Sequence, residues 1–194
     1  HAAERYIPKM IQAGHKVAIC EQMEDPKDAV GIVKRDVIEV ITAGTNLNES
    51  TLDAKSSNYL VGIFMSVDPS VDCSLAAIDI STGTFFVAEG TAKDIENELF
   101  RIGAKEVLVN EETALQFPFV DELKENDNVL VSILPDSYFS FEASYPELCK
   151  QFKVETLESF GIEQTASAVL SAGAVLLYAL DLKKIALDHV DRME

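Results

Sequence analysis

Tryptophan is absent from the 194 residues, and the ten Phe and five Tyr are the whole aromatic stock, so any core must be mostly aliphatic. Bases are scarce: 16 Lys and Arg stand against 33 Asp and Glu, a net charge of -17. The deficit is uneven. Residues 1–44 carry six bases against seven acids, a net of -1, whereas residues 45–194 carry ten against 26, a net of -16. A phosphate-binding surface needs clustered Lys and Arg. The larger segment is therefore a poor DNA binder by itself, and attraction to phosphate is expected near Lys27, Lys34 and Arg35. An acidic surface of this kind either confers solubility or serves as a docking face.

Cysteines are three, odd in number and widely spaced, which excludes a disulfide framework and a CxxC zinc site. Cys20 and Cys73 adjoin apolar runs, where a thiol is expected as a small core residue, and a reducing, cytosolic setting fits. The longest apolar stretch, residues 166–180, is shorter than the roughly 20 residues needed to span a bilayer. No basic start followed by an apolar run marks a signal peptide. The expectation is a soluble chain with no membrane partner. The first residues enter an element that lacks a beginning of its own, the mark of a fragment.

The nine glycines are isolated, so no GxxxxGK[ST] phosphate loop is present, and GxSxG and HExxH are missing too. What remains has ordinary globular proportions, 47% apolar and 25% charged, enough for one domain or one and a part. Residues 2–13 read as a helix with Tyr6, Ile7, Met10 and Ile11 on one face and Gly14 as its stop, although Pro8 opposes it. Residues 17–20 read as a short buried strand, residues 21–27 as a polar stretch turning at Pro26, and residues 36–42 as a second, β-branched strand. Residues 44–57, polar and poor in apolar side chains, read as a linker.

Beyond the linker, residues 59–67, 75–80 and 84–88 form a three-stranded meander with a tight turn at Ser81, Thr82 and Gly83. Thr91 caps a helix over residues 92–102 with Ile95, Leu99 and Ile102 on one side, and Gly103 ends it. Residues 106–109 and 129–133 read as strands, with one helical turn over residues 111–116. Pro135 opens an irregular stretch containing Tyr138, Phe139, Phe141 and Tyr145. A long helix over residues 165–186 is capped by Thr165, apolar through Val169, Leu176, Leu177 and Leu180, and closed by Lys183 and Lys184. This order fits a ribonuclease-H-like α/β sheet, and a generic three-layer α/β fold would give similar elements.

Nuclease chemistry on that fold needs carboxylates converging on paired metal ions, one of them near the middle of the first strand. Residues 59–65 contain no acid; Asp68 follows them, Asp79 sits on the next strand, and Glu96 and Glu98 lie on the helix. Asp79 is expected to bond the amides of the turn at 81–83 instead. His1, His15 and His189 are far apart and expected at surface or turn positions. Lys34 and Arg35 could touch phosphate or form a solvated strand end.

Residues 1–4 with Tyr6 and Ile7, residues 13–27 around Val17-Ala18-Ile19-Cys20-Glu21-Gln22 and Asp25-Pro26, residues 33–38, and residues 41–45 with Thr42, Gly44 and Thr45 form a specific combination. Together they resemble the MutS family of DNA mismatch-repair proteins. Residues 77–83 resemble the family's hairpin, and the Ala-rich final helix fits. Ala43 departs from the proline usual there, which bears on the rigidity of the exit. The resemblance covers the whole chain and is weakest over residues 105–160.

It implies an α/β architecture. Residues 1–45 would be the closing part of a small α/β mismatch-binding domain and residues 46–56 a linker. Residues 57–194 would be a ribonuclease-H-like connector, a mixed sheet with flanking helices, ending near the lever region. The family's Phe-x-Glu wedge would belong upstream of His1 and its phosphate loop far downstream of Glu194, so ATP and magnesium belong to the parent protein and no cofactor to these residues. The implied role is non-catalytic coupling of mismatch binding to the ATPase, with help in docking MutL. The parent would be a cytoplasmic, nucleoid-associated homodimer on mismatched duplex DNA, with Lys27, Lys34 and Arg35 on the DNA backbone. The alternatives are a metal-dependent nuclease of the same fold and a purely structural domain.

Overall fold

A computed structural model describes residues 3–25, 27, 31–46, 58–162, 166–184 and 187–194. Helix α1 (Ala3–Gln12) leads through Gly14, at φ +77°, into an antiparallel ribbon of β1 (Val17–Gln22) and β2 (Arg35–Ile41). The β-branched residues build this ribbon as expected, yet β1 is not buried. Its outer half is exposed, and Cys20 with it, because two strands and one helix cannot cover both faces of the ribbon. The expected turn at Pro26 and most of the expected linker, residues 47–57, lie outside the described residues. Gly44, Thr45 and Asn46, read as the linker's start, are buried.

The larger segment is a five-stranded mixed sheet made of β3 (Leu60–Phe64), β4 (Cys73–Asp79), β5 (Thr84–Gly90), β6 (Glu106–Asn110) and β7 (Leu130–Leu134). Its order is β5-β4-β3-β6-β7, with the first three strands antiparallel and β3, β6 and β7 parallel, the ribonuclease-H-like arrangement. The central strands are buried on both faces, which is why they read as continuous apolar runs. One face carries Val61, Ile63, Leu75 and Val107 against Ile95 and Leu99 of α2 (Ala92–Ile102). Thr91 caps α2 in a full capping box with Asp94, and Gly103 closes it at φ +67°. Helix α3 (Glu111–Gln116) falls where expected, whereas α4 (Phe119–Lys124) was not foreseen.

The opposite face packs on α5 (Phe141–Phe152) and α6 (Ala168–Lys183). The aromatic stretch after Pro135 is thus not irregular throughout. A 3-10 turn over Asp136–Phe139 passes to Ser140, which caps α5, and Phe141 and Tyr145 lie on that helix despite Pro146. Helix α6 begins later than expected, and Thr165 lies outside the described residues. Its first amide is capped from β5: Glu89 accepts Ala168 N at 2.9 Å and Ser167 Oγ at 2.9 Å. The helix is buried nearly all round rather than on one stripe, and Gly62 of β3 leaves the gap in which Val175 and the Ser171 carbonyl sit. After α6, Leu187, Val190 and Met193 return to the core, and residue 194 extends the β5 edge through Glu194 N to Phe85 O and Val87 N to Glu194 O. Among the described residues no helix is long and apolar enough to cross a membrane.

Candidate functional site

The two segments meet where β2 runs out. Thr42 N donates to Thr45 Oγ1 at 3.0 Å, closing a tight loop that turns its other polar groups toward β6. There the Thr42 hydroxyl donates to Oε2 of Glu106, and Gly44 N reaches the same oxygen at 3.2 Å. Only glycine fits at 44, since a Cβ would stand 2.9 Å from Leu60 Cβ and 3.0 Å from Glu106 Cβ. The second carboxylate oxygen, Oε1, accepts from Ser132 Oγ and from Tyr178 OH, each at 2.7 Å.

Glu106 is wholly buried. A carboxylate withdrawn from water is tolerable only when its oxygens are bonded and a counter-charge is near. Four donors and Lys16 meet that condition: Lys16 Nζ lies 4.0 Å from Oε1, donates to Tyr178 OH at 2.9 Å and sits 5.3 Å from the Tyr178 ring centre. Burial, and then the neighbouring Glu106 charge, push the Tyr178 hydroxyl far above the usual tyrosine range. It therefore stays protonated, donating to Glu106 while accepting from Lys16.

A second polar contact crosses between the segments. Lys183, at the end of α6 and buried, places Nζ 2.6 Å from Oε1 of Glu39 on β2. Sequence reasoning missed Glu106, Tyr178, Lys16, Glu39 and the bridging role of Lys183. The one local signal was an acid opening an apolar strand at Glu106, and its hydrogen-bond partners lie up to 72 positions away.

The expected basic cluster lies at the open end of the ribbon. Lys34 and Arg35 are consecutive and exposed where β2 begins; Arg35 pairs with Gln22, and Met23 N donates to Lys34 O at 2.9 Å. Lys27 is exposed in the loop between the strands. Acids alternate with them: Glu24 accepts Lys34 N at 2.6 Å and Asp25 accepts Lys27 N at 2.9 Å. Among the described residues none of the three basic side chains is in an ion pair.

The carboxylates weighed for metal chemistry have other partners. Asp79 bonds the turn as anticipated, taking Ser81 N at 3.0 Å and Ser81 Oγ at 2.6 Å, and it also takes Asn58 N at 3.0 Å. Asp68 bonds Ser70, Glu96 pairs with Lys93, and Glu98 pairs with Arg101. Among the described residues no three His, Cys, Asp or Glu side chains are grouped to hold a metal ion. His15 and His189 are both exposed, and His189 Nε2 contacts Ile80 O at 2.6 Å.

The family model described as MutS domain I matches residues 1–50, and that described as MutS domain II matches residues 58–191. A DNA mismatch repair protein MutS of Lachnoclostridium phytofermentans is 41% identical over 98% of the chain and 20% of its own length. Proteins of the same description from Caldanaerobacter subterraneus (37% identical, all of the chain, 22% of the relative) and Bacteroides thetaiotaomicron (33%, 98% and 21%) are also similar. The chain spans about a fifth of the length of these relatives. With matches covering both segments, the chain belongs to the MutS family of DNA mismatch-repair proteins.

Proposed function

We propose that this chain is a non-catalytic coupling piece of a mismatch-repair protein. In this reading residues 1–45 close the mismatch-binding domain, residues 46–56 link, and residues 57–194 form the connector that relays mismatch binding toward an ATPase elsewhere in the parent protein. ATP and magnesium act in that other part. The parent works as a cytoplasmic, nucleoid-associated homodimer on mismatched duplex DNA, and the connector helps to dock MutL. Lys27, Lys34 and Arg35 meet the DNA backbone.

The observation that carries this reading is the bonding of Thr42 and Gly44, at the exit of the first segment, to Glu106 inside the sheet of the second. A coupling element must pass displacement between parts, and a buried, fully bonded joint does so where a loose tether would not. The charge distribution agrees: exposed Lys27, Lys34 and Arg35 lie at the ribbon's far end, while the strongly acidic second segment suits a protein partner better than phosphate.

The test is a titration of the 194-residue chain against the ATP-binding domain of the cognate MutL at physiological salt. Saturable binding that is lost on surface substitutions within residues 58–184 makes the connector a docking module. Absence of binding removes the docking role from this piece and leaves it a lever between other active parts.

A further inference from the structure

The exit loop fixes where the first segment is attached, but a single attachment point leaves the ribbon free to pivot. Two further contacts oppose that pivot, and both come from α6. The Tyr178 hydroxyl accepts from Lys16, just before β1, at 2.9 Å, and Lys183 Nζ donates to Glu39, on β2, at 2.6 Å. The two α6 residues are five positions apart, about 7.5 Å along the helix axis. The ribbon is therefore held at two separated points of one rigid element, and through Tyr178 the first of them is continuous with Glu106.

We infer that α6 is the element that orients the first segment, with Tyr178 and Lys183 as positioning residues, so that any displacement of α6 turns the ribbon and its basic end. The helix is suited to this. It is buried along nearly its whole length and touches β2, β3, β4 and α5. Lys183 gives the independent sign: its ammonium, shut away from water, has Glu39 of the other segment as its anionic partner. Its burial thus depends on the ribbon being in place.

This deepens the coupling reading, and its test is intramolecular, so failure of MutL binding and failure of the α6 contacts are separate results. Nitroxides are placed on native Cys20, exposed on β1, and on Lys93→Cys of α2, in a Cys149→Ser background with Cys73 buried. Their separation is then read by double electron–electron resonance. The parent chain should give one narrow distance distribution. Lys16→Met and Glu39→Gln, both in the first segment, should each broaden it, and together they should abolish the single peak. The exchanged pair Glu39→Lys with Lys183→Glu should restore it. A broad distribution in the parent chain, an unchanged one in the double variant, or no recovery in the exchanged pair overturns the inference.

Discussion

The Tyr178 hydroxyl stands 2.7 Å from Oε1 of Glu106, joining the middle of α6 to the first residue of β6 with no solvent between them. Because Glu106 is an acceptor only, each of its donors answers part of the cost of burying a charge. Tyr178→Phe keeps the ring and removes one donor, leaving Lys16 without its hydroxyl partner as well. The expected loss is about 1.5–3 kcal/mol, the range for hydrogen bonds to charged groups. Urea unfolding should show a lower midpoint with an unchanged m-value. A loss no larger than that of Tyr145→Phe, a partly buried tyrosine outside the network, would show that the bond adds nothing.

Two tyrosines should resist ionisation. Burial, then the hydrogen bond from its hydroxyl to Asp181 at 2.5 Å, raises Tyr138 to about 12, and Tyr178 is raised more strongly. Raised values mean that the folded chain holds these protons more firmly than the unfolded chain, whose tyrosines titrate near 10. The associated stability is complete below about pH 10 and is lost as pH climbs through about 12. Absorbance titration of the phenolates should therefore leave two of the five tyrosines protonated past the ordinary range. Stability measured over the same span should fall less steeply in Tyr138→Phe. Five equivalent titrations in the folded chain would contradict this.

How much of this could be read beforehand depended on how local the cause was. The capping of α2 by Thr91, its stop at Gly103 and the turn bonded by Asp79 involve residues within a few positions of one another, and their identities announced them. Helix α5 was obscured by Pro135 and Pro146 at either end of an aromatic stretch, where Ser140 at the cap was the only cue. The start of α6 was misplaced because its cap comes from Glu89 on a distant strand. The network around Glu106 joins residues 16, 42, 44, 132 and 178, a set that only the sheet's register brings together. Burial of β1 was overestimated because apolar sequence reports a tendency to be covered, whether or not the covering surface is at hand.

The basic end of the ribbon makes a separate claim on the parent protein. Reversing Lys34 and Arg35 to Glu should weaken duplex DNA binding. It should also flatten the salt dependence by about 0.9 in the log–log slope for every phosphate contact removed. Both side chains are exposed, so folding should be unaffected. Fluorescence anisotropy across a salt series reads both quantities. An unchanged slope would mean that neither side chain neutralises phosphate and that these bases are a solvated strand end.

Gly62 tests whether α6 is seated as tightly as its orienting role requires. The residue is on β3 beneath the helix, and an added Cβ would lie 2.7 Å from Val175 Cγ2 and 2.8 Å from the Ser171 carbonyl oxygen. Its φ lies outside the left-handed range, so the cost of Gly62→Ala is steric, and overpacking of this kind costs about 1–3 kcal/mol. Pairing it with Val175→Ala separates the two clashes, because that change clears the methyl and leaves the carbonyl. A double-mutant cycle should then show favourable coupling that recovers part of the loss, the remainder being the backbone of α6 displaced from the sheet. If Gly62→Ala costs nothing, the helix can shift freely over β3. An element that shifts so easily could not fix the orientation of the ribbon through Tyr178 and Lys183.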